Sequence, residues 1–231
     1  MATQVPWLLS RTCGGDGSTF TTPGMTTTGA TLLVAVVSYF NSVTPTLSDS
    51  KSNTWTGLTA KTIAGQQTSR IFYVASPTVG ASHTFTLTGS SIIASMVVMA
   101  FSGIKTSSPF DTENGATLAG SGTSLASGSI TPSVDGDLII IALSTGGNAT
   151  TNGQTNVDVL SASIFVGGAA VTNSGTYYGT EAGFGIQGTA ASINSTWTLT
   201  GTGINANLVA LIASFKAATA TGGSGGSYGF A

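Results

Sequence analysis

The side chains that could carry proton-transfer chemistry in this chain include eight carboxylates, six cations and one histidine. His83 would have to be the base of any Ser-His-Asp triad. It opens the run His83–Thr88 (HTFTLT), and a near-copy of that run, Ser195–Thr200 (STWTLT), carries serine at the same place. A position that accepts serine in one copy and histidine in the other reads as an exposed strand end rather than a catalytic base. The acids are Asp16, Asp49, Asp111, Glu113, Asp135, Asp137, Asp158 and Glu181. A glycosidase needs two carboxylates facing each other across a cleft, and the spacing singles out no pair. Asp111 and Glu113 lie in a polar stretch that reads as a linker, and Asp135 and Asp137 bracket a turn before a strand. Turn-forming aspartate explains both.

Ligand chemistry fares similarly. Asp49-Ser-Lys-Ser-Asn53 offers oxygens to a calcium ion, but Lys51 sits in the middle, and an Asx-type turn between two strands is the better reading. One histidine and one cysteine, Cys13, exclude a histidine-rich or thiolate metal centre and any disulfide within the chain. Gly183–Gly188 (GFGIQG) fits the dinucleotide fingerprint, yet TAASINSTWTLT follows it, with no helix to receive a phosphate. Gly222–Gly226 (GGSGG) fits GxSxG, but it lacks the strand and helix of a nucleophile elbow. Of Trp7, Trp55 and Trp197, only Trp55, flanked by threonines in NTWTGL, is a candidate sugar-stacking face. No catalytic residue, cofactor or metal is expected, and the chain reads as a non-enzyme.

The composition points the same way. Hydrophobic residues make up 41% of the chain and charged residues only 6%, against roughly 25% charged in ordinary soluble domains. A surface covered by Thr, Ser, Asn, Gln and Gly repels its own copies weakly and favours self-association. Arg11, Lys51, Lys61, Arg70, Lys105 and Lys216 are scattered singly, so no basic footprint for nucleic acid exists. The longest apolar runs, Ile92–Phe101 and Ala206–Phe215, fall short of the roughly 20 residues of a membrane helix. The amino-terminal MATQVPWLLSRT lacks the basic segment and apolar run of a secretory signal. Synthesis in the cytoplasm, with no membrane contact, is the expectation.

The elements that would hold these residues are strands. Thr31–Phe40 (TLLVAVVSYF) and Asp137–Leu143 (DLIIIAL) are continuous branched apolar runs, as in strands buried on both faces. HTFTLT alternates apolar residues with Thr, the period of a strand with one wet face. Only Ala206–Ala218 reads as a helix candidate on propensity. The repeat settles it. TFTLTGSSI at Thr84–Ile92 recurs as TWTLTGTGI at Thr196–Ile204, so Phe85, Leu87 and Gly89 match Trp197, Leu199 and Gly201. Met96-Val97 then matches Leu208-Val209, which makes the second copy a strand like the first. Thr31–Phe40 similarly matches Asp137–Leu143, and Arg70–Ala75 matches Glu181–Gly188.

These pairs predict an all-β protein of two tandem, internally duplicated β-sandwich domains, jelly-roll or immunoglobulin-like. The expected boundaries are residues 1–104 and 123–220 for the sandwiches and 105–122 for a linker. The tail, 221–231, is Gly/Ser-rich and flexible, with Tyr228 and Phe230 as an aromatic tip for binding a partner.

Three segments carry a family likeness: Leu47–Leu58 (LSDSKSNTWTGL), Phe101–Ile104 (FSGI) and Gly136–Leu143 (GDLIIIAL). Together they resemble a diffuse group of β-sandwich structural proteins of tailed bacteriophages and bacterial surfaces. The shared pattern is an apolar GDLLVVAV-like strand, a DSxGNTW turn and a strand ending in SG(V/I). Gly29-Ala-Thr-Leu32 and Lys51-Ser-Asn53 depart from it. The resemblance implies a virion component, a capsid decoration or head or tail accessory protein. Its partners would be other virion proteins and copies of itself. The rival reading is a carbohydrate-binding or adhesin module, with Trp55 as its stacking residue.

Overall fold

Strands with both faces covered need a sheet on each side, and that requirement organises the whole molecule. A computed structural model describes residues 3–4, 10–13, 17–40, 43–147, 153–157, 164–173, 176–200 and 206–218. The first half holds β1 (Thr3–Gln4), β2 (Ser10–Cys13), β3 (Gly17–Thr21), β4 (Leu32–Phe40) and β5 (Thr46–Asp49). It continues with β6 (Thr56–Gly57), β7 (Lys61–Ile63), β8 (Gln67–Ala75), β9 (Phe85–Ile92) and β10 (Ala94–Ser102). The second half holds β11 (Phe110–Gly122), β12 (Ser124–Ala126), β13 (Leu138–Gly147) and β14 (Gly153–Val157). After these come β15 (Ile164–Asn173), β16 (Thr176–Ile186), β17 (Thr196–Thr200) and β18 (Ala206–Phe215). The described residues contain no helix, and the protein is all-β.

Among the described residues these strands form four antiparallel sheets. In the first half β10, β4 and β8 form the middle of a seven-stranded sheet, with β1 and β2 beyond β10 and β6 and β7 beyond β8. A three-stranded sheet, β3-β9-β5, covers one of its faces. The second half repeats this order, with β11-β18-β13-β16-β15 as its large sheet and β12-β17-β14 as its small one. Leu32 pairs with Phe101 and Ala75, and Leu138 pairs with Phe215 and Ile186 in the same manner.

The two large sheets pack against each other, so the layers run small, large, large, small. Alternation along β4 makes this possible. Leu32, Val34 and Val36 enter a central core with Leu138, Ile140 and Ala142 of β13, while Leu33, Ala35 and Val37 face Phe85 and Leu87 of β9. On the far side Ile139, Ile141 and Leu143 meet Trp197 and Leu199. Both faces of β4 and β13 are therefore dry, which is why their sequences run apolar without a break. Polar contacts also cross the central layer. Ser69 Oγ lies 2.8 Å from Ser144 Oγ, and Ser95 Oγ lies 2.6 Å from Thr180 Oγ1. Gln67 Nε2 donates to the carbonyls of Ser144 and Asn207 at 3.1 and 3.2 Å.

One expectation is corrected. Residues 105–122 are not an open linker, since β11 occupies 110–122 and pairs with β18 along its length. This strand is only half covered, so it needs no apolar alternation, and its Thr, Ala and Gly residues pair through their backbones. The helix candidate at 206–218 is strand β18, as its repeat partner β10 predicts.

Candidate functional site

Two polar clusters are built into the described part of the chain. The first grows from the turn after β5. The Asp49 carboxylate accepts the Lys51 N–H at 2.8 Å and the Asn53 N–H at 3.4 Å, closing an Asx turn as the sequence predicts. It also receives the Trp55 indole Nε1–H at 2.8 Å on its other oxygen. Its third kind of partner is His83, whose Nε2 lies 2.9 Å from Asp49 Oδ1. The carboxylate fixes the proton on Nε2, so Nδ1 faces Thr27 Oγ1 at 2.9 Å. Burial pushes the Asp49 carboxyl up, but its bonds from His83, Lys51, Trp55 and Asn53 outweigh that and hold it below its ordinary value.

His83 is thus not the exposed strand end its sequence suggests. It is fully buried, stacked on Phe85 with ring centroids 4.4 Å apart, and bridged to Met25 across the strand. Thr27, His83 and Asp49 are arranged in series like a triad, but the Thr27 hydroxyl is itself buried and bonded to both polar groups of Gly80. No substrate carbonyl can reach it in this conformation, and the cluster acts as a clamp joining three segments. Trp55 is partly buried, edge-on to Phe85 at 5.9 Å, with its N–H committed to Asp49.

The second cluster was not legible as a cluster. It joins Asp111 of β11, Asp137 at the foot of β13 and Lys216, which follows β18. Lys216 Nζ lies 3.1 Å from Asp111 Oδ1. The Ser133 N–H donates to Asp111 Oδ2 at 2.6 Å and its hydroxyl to Oδ1 at 2.7 Å. Burial raises the Asp111 carboxyl, yet these bonds and the Lys216 charge bring it below the usual range. Asp137 is fully buried, and no donor meets either of its oxygens in good geometry, although the Ala217 amide is near. Burial, then the negative charge of Asp111 and a hydrogen bond shared with it, push Asp137 up to about 6. Below about pH 6 the pair therefore keeps one proton, on Asp137. Asp135 stands apart, with Oδ1 accepting the Ala190 N–H at 2.6 Å.

The remaining candidates separate. Gly183–Gly188 runs through the end of β16, between β13 and β15, and no helix follows it. Glu113 accepts the N–H and hydroxyl of Thr59, tying the two halves at an exposed corner. Trp197 is a core residue. Trp7, Asp16, Asp158, Gly222–Gly226, Tyr228 and Phe230 lie outside the described residues, as does the Cys13 side chain. Among the described residues no group of three or more His, Cys, Asp or Glu could hold a metal ion. Also among them, no helix is long and apolar enough to cross a membrane. No protein-family model, curated protein or solved structure matches the chain.

Proposed function

We propose that this chain is a non-enzymatic structural protein of a virion, docking on a repeating protein lattice as a capsid decoration or head or tail accessory protein. The observation that carries this reading is the four-sheet stack with its three stacked cores, in which the chain's one histidine is committed to a buried clamp rather than aimed into a cleft. Such a body suits permanent docking, and a surface with few charges suits close packing of copies. The matching strand orders of the two halves support their origin as duplicated sandwich units of one type. Tyr228 and Phe230 are the proposed anchor on a neighbouring subunit. The engaged indole of Trp55 favours this role over the carbohydrate-binding alternative.

Mass spectrometry of purified particles tests the proposal directly. The chain is expected at a fixed ratio to the major capsid or tail protein, and to re-bind particles that lack it. Deleting residues 221–231 is expected to abolish re-binding. Absence from particles, together with glycan binding that Trp55→Ala abolishes, would establish the carbohydrate-binding module instead.

A further inference from the structure

The Asp111, Asp137 and Lys216 cluster is more than a turn needs. Phe110 pairs with Phe215, and Thr112 with Ser214, so Asp111 is the extra residue of a β-bulge. A bulge re-aims a side chain, and this one brings the carboxyl against Ser133 and Lys216. The backbone holds the lysine in place, since the Lys216 N–H donates to Pro109 and the Lys216 carbonyl accepts from Lys105.

The first half of the molecule shows what the fold requires at this corner. Asp137 precedes Leu138 as Thr31 precedes Leu32, and Lys216 follows Phe215 as Ser102 follows Phe101. There the Thr31 hydroxyl accepts the Ile104 N–H, and the corner closes without a charge. The second half places two carboxyls and an ammonium at the same corner. Architecture does not call for them.

We propose that Lys216 and Asp111 condense into an intramolecular amide, an isopeptide bond, with Asp137 relaying the proton. In the starting arrangement the ammonium and carboxylate are in contact at 3.1 Å. Proton transfer from Nζ to the carboxylate gives a neutral amine and a neutral acid with no change in net charge. The Nζ lone pair attacks Cγ of Asp111, and the Ser133 N–H steadies the developing oxyanion. Asp137, as its neutral acid, donates a proton to the departing oxygen, the Cγ–O bond breaks, and water leaves. Asp137 recovers its proton from the nitrogen. One carboxylate and one ammonium become one amide and one water, with no oxidant or activating group consumed.

Three physical terms favour the step. Groups held in contact react with effective molarities of about 10⁵–10⁸ M. Condensation removes two charges from a site where Asp111 is 7% exposed and Lys216 29% exposed, relieving the desolvation of the pair. Asp137, raised to about 6, is available near neutrality as both acid and base. A hollow lined by Lys105, Val134, Asp135, Lys216, Ala217 and Ala218 gives the released water a way out.

The test is the intact mass of the purified, denatured full-length chain after prolonged incubation, read against Lys216→Arg so that any trimming of the ends cancels. The expected mass is lower than the sequence mass by one water, with a branched fragment joining the peptides of Asp111 and Lys216. Lys216→Arg and Asp111→Ala should show the full mass. Asp137→Asn, folded by circular dichroism, should lose the water at least tenfold more slowly. An unmodified wild-type mass overturns the proposal. So does a deficit that persists in Lys216→Arg, which would mark a cyclic imide at an aspartate instead. A wild-type rate in Asp137→Asn would overturn the relay.

Discussion

Asp49 shows how much one carboxylate can hold. Its side chain is sealed from solvent and joins the turn after β5, the indole of Trp55 and the ring of His83. Replacing it with alanine leaves an indole N–H, an imidazole N–H and the backbone N–H groups of Lys51 and Asn53 without this acceptor. Leaving a buried donor without its acceptor costs about 1–3 kcal/mol. Asp49→Ala is therefore expected to lower the urea midpoint strongly and to red-shift tryptophan emission before global unfolding. Asp49→Asn, which keeps one acceptor oxygen, should lose less. The Asx turn was legible because Asp-x-x-x-Asn is a local pattern whose bonds close within a few residues. The burial of His83 was not, since its partners Thr27 and Asp49 are distant in sequence. Ser195 misled for a physical reason: it is equally buried, but no bonding partner meets its hydroxyl. A small residue standing in for a large one signals a changed environment, and exposure is only one such change.

At the scale of elements, the strands buried on both faces were the most legible and the edge strand the least. TLLVAVV and LIIIAL declare two dry faces, whereas β11 mixes Thr, Ala, Gly and Glu in a stretch that backbone pairing with β18 keeps extended. The meeting of Asp111 with Asp137 follows from the order β11-β18-β13 and from the bulge, neither of which a sequence displays. Within the large sheet of the second half, β16 carries a second displaced carboxyl. Burial pushes Glu181 from its ordinary 4.5 up to about 8. Between those values the folded state keeps a proton that the unfolded chain has released, so stability falls as pH rises through this window and levels off above it. Asp137 adds the same sign between 3.8 and about 6. The urea midpoint is thus expected to be higher at about pH 5 than at about pH 8. Glu181→Gln should flatten most of that difference and raise the midpoint at the alkaline end. A midpoint that climbs with pH across this range would contradict the assignment.

The whole molecule behaves, in its contacts, like a symmetric dimer joined into one chain. Strand β8 lies against β18 as its counterpart β16 lies against β10, and β7 runs beside β11 as β15 runs beside β2. Such reciprocal contacts are those of a two-fold, isologous interface. The central core draws Val36, Met99 and Phe101 from one half and Ile140, Leu211 and Phe215 from the other, all nearly or fully sealed from water. Neither large sheet could stand alone in water with that face bare, because losing a well-packed Phe from such a core already costs about 3–5 kcal/mol. The halves are accordingly expected to unfold as one cooperative unit, although the sequence reads as two tandem domains. Phe85→Ala tests this, since Phe85 packs in the outer core of the first half, away from the shared layer. It should lower the unfolding midpoint by the same amount whether read from peptide-level hydrogen exchange in 17–102 or in 110–218. A two-step transition, with only the first half shifted, would show that the shared layer merely docks two finished domains. A single step would make the central layer the element on which the stability of both halves depends.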